Sequence, residues 1–195
     1  MGIAGIPWFT TDIGGFHGGN PDDPAFRELL IRWFEYGTFC PVMRLHGDRE
    51  PHKPPMGSEG GAACVSGADN EVWSFGDEAY EILCGYLELR EKMKPYITEL
   101  MKAAHEKGTP VMRPLFYDMP DDPKAWEVED QYMFGPDVLV APILFEGARS
   151  REVYLPAGTE WTNYWTGEKV AGGQTITADA PLAQIPLFTR NGREF

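Results

Sequence analysis

WFTTDIGGFHGGN, residues 8–20, passes from bulky apolar side chains into a single acid and then into a glycine-rich turn. Upstream, residues 3–11 show no alternation of apolar and polar side chains, the pattern of a strand covered on both faces. Beyond the glycines, Asp22 or Asp23 can cap a helix with Pro24 in its first turn. Phe26, Leu29, Leu30, Trp33 and Phe34 then fall at helical spacing as one apolar stripe before Gly37 ends the run. Phe39–Leu45 reads as the next strand. Strand, helix and strand in so short a span make a βαβ unit, which requires a parallel sheet. Both strands of such a sheet end on the same face, where loops carry functional side chains. Asp12 closes the first strand and His46 the second, so an acid, an imidazole and an open glycine loop are expected on one rim. Gly14, Gly15, Gly18 and Gly19 allow positive φ and a close approach of the backbone to a ligand.

The rest of the chain changes character near residue 108. Residues 47–76, rich in Gly and Pro, read as loop, and 77–107 as a long helix that Pro95 should kink or divide and Gly108 should end. From Thr109 the period becomes two, with short runs at 111–117, 131–144, 151–155, 161–165, 174–177 and 184–189, the pattern of an antiparallel sandwich. The expected fold class is therefore α/β followed by all-β.

Composition narrows the function. The 195 residues carry a formal charge of −13, which repels nucleic-acid backbones and anionic lipid, and no apolar run is long enough to span a bilayer. Neither nucleic acid nor a membrane is an expected partner. Cys40, Cys64 and Cys84 follow no disulfide or zinc spacing, so reduced thiols and a cytoplasmic setting are expected.

The glycine-rich rim admits other uses. A phosphate cradle is disfavoured, because the spacing matches neither G-x-G-x-x-G nor a P-loop and Asp12 would repel the anion. A metal site built from Asp12, His17, His46, Asp48 and His52 needs a convergence of loops that spacing does not dictate. Asp12 could also simply cap a turn, and His46 simply satisfy a neighbouring backbone group.

Residues 8–16, the block Phe-Cys-Pro-Val-Met-Arg-Leu-His-Gly at 39–47, the Met-Lys-Pro-Tyr at 93–96, Gly-Thr-Pro-Val-Met-Arg-Pro at 108–114 and Asp-Gln-Tyr-Met-Phe-Gly-Pro-Asp-Val-Leu-Val-Ala-Pro at 130–142 together resemble glycoside hydrolase family 31. This is a family of retaining α-glucosidases and α-xylosidases, and the bacterial α-xylosidase branch is the one most resembled. The resemblance implies that residues 1–108 are the last two strand-helix units of a (β/α)8 barrel and residues 109–195 an antiparallel β-sandwich. It implies that Asp12 hydrogen-bonds the hydroxyls of the sugar in the cleavage subsite, that Phe16 lines that subsite, that His46 binds the same sugar, and that Arg44 supports them.

No catalytic residue is assigned in this chain. The family's two catalytic aspartates lie on earlier barrel strands, and Asp48 matches neither. Retaining chemistry sets those carboxyls about 5 Å apart across the glycosidic bond. The resemblance calls for no metal and no organic cofactor. The partners expected are an α-linked glucoside or xyloside and the missing N-terminal barrel portion of the same enzyme, with homo-oligomers left open. On this view the chain is a C-terminal fragment, inactive alone. The apolar face of helix 26–34 would lack cover, and the sandwich would be the better-folded half. The competing hypothesis is a standalone carbohydrate-binding or structural sandwich in which Trp161, Tyr164 and Trp165 stack on glycan, although such side chains are more often core.

Overall fold

The computed structural model describes residues 1–195 and contains two kinds of architecture in sequence. The helix α1 spans Pro24–Thr38, with the Asp23 side chain accepting from the Ala25 N–H and Pro24 occupying its first turn. Strands β1 (Arg49–Lys53) and β2 (Ser66–Ala68) form an antiparallel pair inside the stretch expected to be all loop. Helix α2 runs from Asp77 to Lys107 and ends on Gly108, whose φ of 69° and N–H bond to the Ala104 carbonyl close the last turn. Pro95 lies inside α2 and does not divide it; a missing N–H removes one backbone bond from a helix that packing holds on both sides of the proline.

The two parallel strands expected at 3–11 and 39–45 do not form as continuous strands. Gly2–Ala4 is a 3-10 turn, and Ile3, Ile6 and Trp8 are exposed rather than covered on both faces. Pairing survives as separate links: Val42 N–H to the Phe9 carbonyl at 3.1 Å, Ile13 N–H to the Arg44 carbonyl at 3.2 Å, and parallel bridges at Ile13–Leu45 and His17–Asp48. Pro7 and Pro41 have no N–H to give to a ladder, and no third strand flanks the pair, so the register is parallel but the strands stay irregular.

After α2 come β3 (Met112–Arg113), the single-turn helix α3 (Leu115–Asp118), β4 (Tyr132–Phe134), β5 (Val138–Val140), β6 (Ser150–Leu155), β7 (Glu160–Asn163), β8 (Lys169–Ala171), β9 (Gln174–Asp179) and β10 (Leu187–Thr189). The run 111–117 thus turns helical after Pro114, where Arg113 pairs with Asp118 at 2.7 Å across the turn. The run 131–144 folds back on itself at Gly135, whose φ is 66°, to make β4 and β5. Strand β8, short and mostly exposed, lacked a readable period.

A six-stranded antiparallel sheet has the order β3-β4-β5-β10-β7-β8, and β6 pairs with β9 beside it. Alternation along its central strands sends side chains into two cores. Met133, Leu139 and Phe188 meet Val153, Leu155 and Trp161 on one face. Val138, Val140 and Leu187 turn to the other face and join Leu30, Phe34, Leu83 and Met93 of the helices in one cluster. That shared cluster corrects the expectation of an uncovered α1: Phe26, Leu30 and Phe34 are buried, and Leu29 alone of the expected stripe stays half exposed.

Candidate functional site

Asp12 pairs with Arg44, and Phe16 with His46, where the two parallel segments end. Ile13 is fully buried and packs so tightly on α1 that a Cβ at Gly37 would lie 2.5 Å from its side chain. Trp33 of α1 donates its indole N–H to the Thr11 hydroxyl at 2.9 Å. With Ile13 turned inward and Thr11 held from below, Asp12 faces outward, where its carboxylate accepts from the Arg44 guanidinium. A carboxylate about three-quarters buried beside a half-exposed guanidinium is fixed in direction yet open to a ligand.

Phe16 lies at the tip of the glycine loop and is more than half exposed. Its ring centroid is 5.6 Å from that of His46, tilted 43°, and 4.4 Å from that of His17, edge to face. The Asp48 N–H donates to the Phe16 carbonyl at 2.9 Å, so the loop and the second segment are bonded beside the two rings. An acid, an apolar ring and an imidazole on one open rim suit a polyhydroxylated ring: hydroxyls to the polar groups, a carbon face to Phe16.

His52 and His17 approach the Asp48 carboxylate at 2.7 and 3.8 Å. This trio, with Asp12 and His46, does not converge into a group able to hold a metal ion. The aromatics of the C-terminal half take no part: Trp161 is fully buried with its N–H on the Pro156 carbonyl, and Tyr164 and Trp165 pack against the helical core.

Two contributors escaped the sequence reading. Arg49 is fully buried directly under the rim, and Asn70 accepts from its Nε at 3.0 Å while donating to the Gly47 carbonyl at 3.2 Å. An arginine inside a polar Gly-Asp-Arg-Glu run gives no signal of burial, because nothing local distinguishes it from a solvated side chain.

Parallel segments followed by helices and then an antiparallel domain define a protein that joins a barrel portion to a C-terminal β-domain. The chain belongs to glycoside hydrolase family 31: residues 1–100 match the family's TIM-barrel domain and residues 108–193 its C-terminal domain. An alpha-xylosidase of Saccharolobus solfataricus is 40% identical over 97% of this chain and 24% of its own length. Alpha-glucosidase 2 of Bacillus thermoamyloliquefaciens is 36% identical over 98% of this chain and 22% of its own. The crystal structure of a family 31 alpha-xylosidase from a soil metagenome, complexed with xylose, superposes with a TM-score of 0.95 at 57% identity, covering 99% of this chain and 29% of that one. The chain therefore spans about a quarter of the length of these relatives. No helix is long and apolar enough to cross a membrane.

Proposed function

We propose that this chain is the sugar-holding C-terminal part of a retaining α-glycoside hydrolase acting on an α-linked xyloside or glucoside. Residues 1–108 are the last two strand-helix units of its (β/α)8 barrel and residues 109–195 its antiparallel β-sandwich. The chain's share of its relatives' length supports this assignment, since two of eight units with a following domain leave most of the barrel to other polypeptide. The observation that carries the proposal is that the Asp12–Arg44 pair and the Phe16–His46 pair lie on the same two parallel segments, bridged at Ile13–Leu45, in a chain so similar to a xylose-bound structure.

In this reaction Asp12 and His46 hold hydroxyls of the sugar whose anomeric bond is cut, Phe16 lies against its ring, and Arg44 keeps the Asp12 carboxylate aimed. The nucleophile and the general acid/base are aspartates of the remaining barrel, about 5 Å apart across the bond, and the reaction passes through a covalent glycosyl-enzyme. Neither a metal nor an organic cofactor enters this scheme. A reducing, cytoplasmic setting belongs to the same proposal and accords with three free thiols.

Charge-assisted hydrogen bonds to hydroxyls contribute about 1.5–3 kcal/mol. In the complete enzyme Asp12→Asn therefore lowers kcat/KM on an aryl α-xyloside by roughly ten- to a hundredfold. Unchanged kcat/KM would remove Asp12 from the site. Turnover by the 195-residue chain alone would overturn the assignment of the catalytic pair to other polypeptide.

A further inference from the structure

Arg49 carries a guanidinium that is fully buried, yet no carboxylate lies within ion-pair distance of it. Its donors go to neutral oxygens from both segments of the rim. On the glycine loop, Nη1 donates to Gly18 at 2.6 Å and Nη2 to Gly15 at 2.8 Å and Ile13 at 3.4 Å. On the second segment, Nη2 reaches the carbonyl of His46 itself at 3.1 Å; Nε reaches Asn70, which lies beyond β2. The Phe26 ring of α1 lies 5.3 Å below the guanidinium carbon. Burying a charge without a direct ion pair is costly unless it collects many hydrogen bonds, and Asp48 acts on this one only from beyond ion-pair distance. A cluster of carbonyls aimed at one planar fork is therefore a specific arrangement.

The glycines fit the same arrangement. A Cβ at Gly14 would lie 2.9 Å from Nη2, and one at Gly47 would lie 2.4 Å from it. Both residues have positive φ, 86° and 138°. The backbone on either side of the rim is thus wrapped around the guanidinium at van der Waals limits.

We infer that Arg49 is the positioning residue of the sugar rim, setting the separation of Phe16 from His46 by holding the carbonyls of both segments in one fork. This inference rests on the proposed sugar-binding role of those residues. Arg49 lies beneath the rim and acts only through the backbone. A lysine cannot replace it in full, because an ammonium has three donors on a single atom and cannot span acceptors on two segments.

The test uses Arg49→Lys and Arg49→Met in the complete enzyme, assayed well below each variant's melting temperature, with hydrogen exchange followed in parallel. Displacing a binding group by about an ångström can cost about a hundredfold. The methionine variant is accordingly expected to lose about that much kcat/KM per folded molecule, and the lysine variant about tenfold. The dissociation constant for xylose should rise alongside. Amides of Ile13, Asp48 and Glu50, which bond across the segments, should exchange faster while those of α2 and β6 do not. Variants that melt earlier but keep kcat/KM, xylose affinity and local exchange would overturn the inference, leaving Arg49 a general stabiliser. If Arg49→Met fails to fold, Arg49→Lys decides by the same readouts. A wild-type enzyme without α-glycosidase turnover would instead overturn the proposed function; faster exchange confined to the rim would then still support the inference, and unchanged exchange would overturn it.

Discussion

Gly47 and Gly18 both have positive φ, at 138° and 79°, yet they answer different demands. Around Gly18 an added Cβ meets nothing within 4 Å, whereas at Gly47 it would lie 2.1 Å from the Gly15 carbonyl oxygen and 2.4 Å from the Arg49 guanidinium. A left-handed conformation costs an L-residue about 1–2 kcal/mol, and forcing atoms into a filled space adds about 1–3. Gly18→Ala should therefore destabilise by about 1 kcal/mol with the rim intact. Gly47→Ala should cost about 3 kcal/mol and, under the proposed function, weaken xylose binding as well. Urea unfolding and a sugar titration read the two effects, and equal losses in both variants would show that close approach to Arg49 is immaterial. The sequence announced the positive φ values of the loop but not their purpose. Close approach to a ligand was the natural expectation from Gly-Gly-Phe-His-Gly-Gly, while Gly14 approaches Arg49 and Gly19 approaches Phe26. Those partners lie on other elements, and local chemistry carries no trace of them. The placement of Asp12 and His46 on neighbouring parallel segments, by contrast, follows from the order of segment, helix and segment, although neither segment forms a continuous strand.

Helix α1 shows the same division between what period fixes and what packing decides. Its limits and its apolar stripe follow from the sequence, but the face it buries is rotated: Leu29 is half exposed, while Arg32 and Glu35 are buried. The buried Arg32 meets carbonyls presented by the C-terminal β-domain. Arg32 donates to those of Ala148, Ala180, Pro181 and Gln184 and to the Glu35 carboxylate at 3.0 Å, and Tyr86 of α2 donates to the other oxygen of Glu35 at 3.0 Å. Burial raises the Glu35 carboxyl from an ordinary 4.5 to about 7, against the opposing pull of Arg32. Between those values the folded chain keeps a proton that the unfolded chain releases. The stability from this group is therefore complete below about 4.5 and is lost as pH rises toward 7. At about 1.4 kcal/mol per unit, the loss is about 3 kcal/mol. Glu35→Gln cannot titrate, so between about pH 5 and about pH 8 its unfolding free energy should fall less than that of the wild type by roughly that amount. Parallel pH profiles for the two proteins would mean that Glu35 is ionised throughout.

At the scale of the whole molecule, the boundary read near residue 108 marks a change of secondary structure but not a division of the core. The cluster containing Leu30, Phe34, Leu83 and Met93 also contains Val138, Val140 and Leu187. Arg90 of α2 reinforces the union by donating to the carbonyls of Thr38, Cys40 and Pro41, where α1 hands over to the second segment. Cover for α1 could not be foreseen from the chain, because an apolar stripe specifies that something buries it and not what. The part left thinly held is consequently smaller than the first half. Residues 1–12 have Ile3, Ile6 and Trp8 exposed, and Leu144 and Phe145 stand exposed on the C-terminal domain. Elements sharing one core open together, while segments with few apolar contacts open alone at little cost. The 195-residue chain should thus unfold in one transition seen alike by probes on α1, on α2 and on β10. Amides of residues 1–12 should exchange at nearly unprotected rates, and exposed apolar surface should drive concentration-dependent association in sedimentation. If the C-terminal strands melted later than α1 and α2, the shared cluster would not bind the two halves into one unit, and the first half would depend on something outside this chain for its stability.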